Sequence, residues 1–153
     1  MARPASRATV KFRIASSPRR PCGRSINNGV AADTSGALNA GGTPHWRWNA
    51  SAIYTAGPWR ASVFVRWIQG GRLNNTLVEG IDINDNTVQS RSYTDLSLTY
   101  TINDRYEIYG NIRNLLNTDP PVTANSLIAP QTATSPFFDV LGRYFIVGAR
   151  VNF

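Results

Sequence analysis

Residues able to do covalent or redox chemistry are few in this chain, and they are scattered. It holds one histidine, His45, and one cysteine, Cys22. A lone cysteine permits no internal disulfide, and a lone histidine beside it cannot build a metal site at the usual ligand spacings. The best-placed carboxylates are Asp95 and Glu107, which fall on neighbouring stretches with a shared alternation phase. Two carboxylates can exchange protons with a substrate, but no nucleophile–base set accompanies them. The sequence therefore reads as a non-enzyme, with no catalytic residue, metal ligand or cofactor assigned. Arginines dominate instead. Arg47, Arg60, Arg66, Arg113 and Arg150 recur in phase with Asp95 and Glu107, which suits the wall of a wet or filled lumen better than a catalytic centre.

The elements that must carry these charges are strands. Residues 45–56, 59–69, 92–102, 106–116 and 142–153 alternate apolar and polar side chains with a period of two. Each segment is about as long as the ~9–11 residues a tilted barrel strand needs to cross a bilayer. Gly57-Pro58 and Asn103-Asp104-Arg105 make tight turns, whereas 70–91 and 117–141 are long loops. Short and long connections thus alternate, as in antiparallel hairpins of outer-membrane barrels. The expected fold is all-β: an antiparallel meander of five transmembrane-type strands, forming the C-terminal part of a larger barrel.

The net charge of +7 invites a nucleic-acid reading, but its location removes it. Residues 1–24 carry seven basic residues and no acid, leaving nine basic residues against nine acidic ones in the remainder. Residues 1–24 lack the apolar stretch of a secretory signal. They read as a disordered basic tail, a mis-read start or a basic arm, outside the fold in each case. Residues 25–44 are small, polar and Gly-rich, and read as a loop or linker. The strands occupy 45–153, and no nucleic-acid partner is expected.

Aromatic placement separates a membrane wall from a soluble β-sandwich. The apolar face has Ala50, Ala52, Val63, Val65, Leu98, Gly110, Val147 and Ala149 near strand middles. Its strand ends carry Trp46, Trp48, Tyr54, Trp59, Trp67, Tyr100 and Tyr106, with Phe145 and Phe153 on the last strand. A sandwich core concentrates large rings at its centre, whereas a membrane barrel sets them in girdles at both interfaces.

The stretch Asn114-Leu115-Leu116-Asn117, followed by Asp119-Pro120-Pro121, then Asp139, Gly142, Arg143 and a terminal Phe153, resembles the C-terminal end of TonB-dependent outer-membrane receptors. The resemblance covers about residues 44–153. It implies a bacterial outer-membrane location, lipid around the barrel, and a closing strand read by the barrel-assembly machinery through Phe153, Val151 and Phe145. It also implies a parent receptor of about 22 strands that takes up a scarce ligand, such as a metal chelate of the siderophore kind, cobalamin or a carbohydrate. Contact with TonB would be made only through an N-terminal part not seen here, and no plug domain or TonB box is found. Ligand contacts are expected in the loops 70–91 and 117–141 and at upper lumen residues such as Arg66. The ligand itself is not specified, and the piece alone is expected to be inactive. Two other readings remain: a soluble β-sandwich binding module, and a small membrane barrel completed by oligomerisation.

Overall fold

The computed structural model describes residues 9–18, 24–27, 30–38, 42–123 and 137–152. Ten strands are found among them: β1 (Thr9–Pro18), β2 (Arg24–Asn27), β3 (Val30–Asp33), β4 (Trp46–Ala56), β5 (Trp59–Ile68), β6 (Gly71–Arg72), β7 (Thr87–Val88), β8 (Arg91–Thr101), β9 (Tyr106–Arg113) and β10 (Tyr144–Val151). The described residues are all-β, and none of their helices is long and apolar enough to cross a membrane, which says nothing about crossing by strands.

Six strands form one antiparallel meander in the order β1-β4-β5-β8-β9-β10, open at β1 and β10. Four of the five alternating segments appear within about two residues of their expected bounds. The fourth, expected to reach Leu116, stops at Arg113 because Asn114 turns into the left-handed region at φ 50°.

The sixth strand corrects two expectations, the strand count and the exclusion of residues 9–18 from the fold, while residues 1–8 and 19–23 lie outside the described residues. Thr9–Pro18 pairs along its whole length with β4, from Thr9↔Thr55 to Pro18↔Trp46. Val10, Phe12 and Ile14 lie level with Tyr54, Ala52 and Ala50, so the strand extends the apolar face. Pro18 is compatible with pairing because β1 is an edge strand and Pro18 is its last residue. Residues 25–44 are also more than a linker. β2 pairs with β3, and Leu38 is fully buried.

Both short turns follow from local chemistry. Ala56 pairs with Trp59 across a two-residue loop in which Gly57 takes φ 56°, the position where a tight hairpin favours glycine. At the β8–β9 turn the Asn103 side-chain oxygen accepts from the backbone N–H groups of Arg105 at 3.0 Å and Tyr106 at 2.9 Å. Such an Asx turn is what a short asparagine side chain offers.

The buried core lies on the polar face of the sheet, at the end where the long loops leave it. Leu38, Ile68, Leu73, Val88, Tyr93 and Phe138 pack together there, with Ile83 and Phe137 alongside. Ile68 and Tyr93 project from β5 and β8 on the same side as Arg66, and the loops fold over them. Leu38 N–H donates to the Arg72 carbonyl at 2.9 Å, and Leu73 N–H to the Asn86 carbonyl at 2.8 Å, which pins the covering segments.

Candidate membrane-facing surface and polar wall

Strand pairing places the apolar residues on one continuous face. Ladder rows such as Phe12–Ala52–Val63–Leu96–Ile112–Phe145 run across all six strands. Nothing among the described residues covers this face. Phe12 and Ile14 are each 77% exposed, Phe145 is 66% and Val147 is 79%. Six strands of about ten residues present a surface of about 25 by 30 Å. That exceeds the ~300–600 Å² of the largest apolar patch on an ordinary soluble monomer.

Rings border this surface at both ends. Trp48 and Trp67 are ladder partners near the long-loop end and stack with centroids 6.2 Å apart, with Trp46 beside them on β4. Trp59 and Tyr100 are ladder partners at the short-turn end, 4.5 Å apart, flanked by Tyr54 and Tyr106. Phe145 and Val151 lie on β10, and Phe153 falls outside the described residues.

The two rims slant across the ladder in parallel. Tyr54 is level with Ala61, then Leu98, then Gly110, and Gly110 lies four residues from Tyr106 along β9. At the other rim, Phe145 is level with Ile112, Leu96, Val63 and Ala52, and Ala52 stands four residues from Trp48. With ~3.3 Å per residue and ~4.8 Å per strand, the first rim makes an angle of about 43° with the hydrogen-bond direction and the second about 35°.

The opposite face carries Arg47, Arg60, Arg66, Asp95, Glu107, Arg113 and Arg150. Asp95 and Glu107 are not brought together; each faces an arginine. An Arg113 guanidinium nitrogen donates to Asp95 Oδ2 at 2.7 Å, and Arg150 donates to its ladder partner Glu107 at 3.1 Å. Asp95 also accepts the Asn114 backbone N–H at 3.0 Å. Asp95→Ala is therefore expected to cost about 1–3 kcal/mol in chemical denaturation, because that N–H loses its acceptor in a part-buried setting. Glu107→Ala, which breaks only an exposed pair, should cost less than about 1 kcal/mol in the same assay.

The conspicuous sequence motifs converge on one knot above β9. Asn114 is 2% exposed and its amide donates to the carbonyls of Thr118 at 3.0 Å and Leu141 at 3.4 Å. Its side-chain oxygen accepts the Thr118 N–H at 2.8 Å. Asn117, at φ 52°, accepts the Arg143 N–H at 2.9 Å, and the Arg143 guanidinium reaches the Leu115 carbonyl at 3.4 Å. Asp139 lies 3.9 Å from Arg66, whose guanidinium stands over the Tyr93 ring at 5.1 Å. The two asparagines were visible in the sequence, where their tolerance of the left-handed region was the available signal. The reach of Asn114 to Leu141 was not.

No group of three or more His, Cys, Asp or Glu residues able to hold a metal occurs among the described residues, and Cys22 lies outside them. Comparisons with protein-family models, with curated proteins and with solved structures returned no match.

Proposed function

We propose that this chain forms part of the wall of a bacterial outer-membrane β-barrel, as the C-terminal strands of a receptor of the TonB-dependent kind. The observation that carries the reading is the uncovered apolar face bordered by two parallel, slanted aromatic rims. Their slopes of about 35° and about 43° fall within the ~35–45° strand tilt of membrane barrels. The Trp59 and Trp67 positions are eight residues apart on β5, so the Cα atoms bearing these rings are separated by ~26 Å along the strand and by about 20 Å across a bilayer at that tilt. Rings reaching outward from both rows fit the ~25 Å apolar band of such barrels. The knot joining Asn114, Asn117 and Arg143 gives the motif that resembles receptor C-termini a physical task, that of anchoring a long loop onto the final hairpin.

In this reading the parent transports a scarce ligand and the chain contributes wall and loop, with no catalysis, cofactor or nucleic acid involved. Outer-membrane lipid meets the apolar face, and the barrel-assembly machinery reads the last strand. TonB would be met only through a part outside this chain.

The sixth strand favours a second reading. With six strands β1 and β10 run antiparallel to one another, so two copies can join β1 to β10 at both seams and close twelve strands. A blot of outer-membrane and soluble fractions from the native source, probed with antibody to the C-terminal peptide, separates these. A membrane band far above 16.8 kDa on a denaturing gel supports the receptor reading. A membrane band near that mass supports the oligomer. A product confined to the soluble fraction without detergent removes the membrane from both.

A further inference from the structure

Three donor side chains gather on the polar face without an acid among them. Arg47 and Asn49 stand two residues apart on β4, and Asn49 is the ladder partner of Arg66 on β5. These three line a cleft of about 360 Å³ together with Ser16, Ala15, Pro44, Ile68 and Phe137. Among the described residues no carboxylate lines it, although Asp139 forms an ion pair with Arg66 Nη2 at 3.9 Å from beside the cleft. Arg66 Nε is shielded and finds no acceptor among the described residues, while the side chain as a whole is 40% exposed and its Nη2 pairs with Asp139. A buried N–H of a charged group left without an acceptor is costly, and the usual remedy is an anionic oxygen.

The rest of the cleft describes what accompanies that oxygen. Ile68, Phe137, Pro44 and Ala15 give it apolar walls, while the guanidinium of Arg66 is held in place over Tyr93 at 5.1 Å. A planar fork fixed in orientation suits a carboxylate, which it can meet with two parallel hydrogen bonds. Arg47 is exposed and supplies a second positive charge from the rim. A volume of about 360 Å³ sits at the lower end of the range for small-molecule pockets.

We propose that this cleft binds a small oxyanion, a carboxylate attached to an apolar or aromatic body, with Arg66 as the orienting contact, Arg47 as the second charge and Asn49 as an auxiliary donor. The inference goes beyond the membrane-wall reading and does not need it, because the cleft is on the face opposite the apolar surface. It would stand for a soluble sheet as well.

The test is isothermal titration of the full 153-residue chain, folded in non-ionic detergent, with benzoate and separately with inorganic phosphate. Benzoate is expected to bind with a Kd at or below about 1 mM. Raising the ionic strength should weaken it, because partly exposed charges are screened. Arg66→Gln is expected to weaken benzoate by about tenfold to a hundredfold, the usual worth of a hydrogen bond to a charged group. Arg47→Gln should weaken it less. Arg60→Gln, on the same face but outside the cleft, should leave it unchanged. Far-UV circular dichroism in the same detergent verifies that each variant keeps its sheet, and Arg66→Lys, which retains charge but loses the fork, reads the bidentate geometry without removing the cation. Absence of benzoate binding in the wild-type chain overturns the proposal. So does equal binding by the Arg66 and Arg60 variants, and phosphate binding as tight as benzoate overturns the assigned ligand class.

Discussion

In the proposed membrane wall, Val63→Arg is expected to destabilise the sheet by about 2–4 kcal/mol, the cost of an arginine facing lipid at the bilayer midplane. Val63 stands on the apolar face four residues from both Trp59 and Trp67, so it is the centre of β5 between the two rims. Ser62→Arg, one residue away on the polar face, should change stability by no more than about 0.5 kcal/mol, as surface substitutions usually do. Both values are read from denaturant titration of the chain in lipid vesicles, followed by tryptophan fluorescence. The contrast matters more than either number. A soluble sheet with water on both faces would tolerate the two arginines alike, and such a result would remove the membrane from the reading.

Asn114→Ala should be the most damaging change outside the strands. It deletes the acceptor of the Thr118 N–H and the donor to the Thr118 and Leu141 carbonyls, in a position only 2% exposed. Buried groups left without partners cost about 1–3 kcal/mol. The φ of 50° adds strain for an alanine side chain, which left-handed backbone penalises by roughly 1–2 kcal/mol. A total of about 2–5 kcal/mol is expected by the same denaturation assay. Leu116→Ala, in the same turn but 67% exposed, serves as the control and should be near neutral. Hydrogen exchange adds a second readout: the N–H groups of Thr118 and Arg143 should lose protection together in Asn114→Ala if the knot acts as one unit. Loss at Thr118 alone would mean that the Asn117–Arg143 half stands independently.

The strands of the meander were legible because each keeps a strict period of two, and Gly57 and Asn103 mark its short turns in plain chemical terms. β1 was only partly legible. Lys11-Phe12-Arg13-Ile14 alternates as a short strand would, but the stretch is basic and bounded by Pro18 and Pro21; the partner edge of β4 extends it into a ten-residue strand. Leu38 was missed for a related reason. A single leucine in a Gly- and Ser-rich run has no period, and its burial depends on Leu73, Val88 and Phe138, far along the chain. Tyr93 and Ile68 occupy polar-face positions, so alternation alone would have left them in the wet. Long-range loop packing put the core on that side. Asp95 and Glu107 form no carboxylate pair: Glu107 meets its ladder partner Arg150 and Asp95 meets Arg113 on the neighbouring strand, contacts that strand register decides and composition does not.

The slant of the rims also sets a size. A closed barrel with strands tilted by about 40° and spaced by ~4.8 Å gains about 2 Å of diameter for every strand. Twelve strands would then enclose a backbone cylinder about 24 Å across, and twenty-two one about 44 Å across. In the narrower cylinder, side chains such as Arg47, Arg60 and Arg150 would reach more than halfway to the axis and narrow the passage. In the wider one they would stay near the wall, around a space that needs filling from elsewhere. The diameter of the assembled particle, seen end-on by electron microscopy, therefore counts its strands without any further sequence.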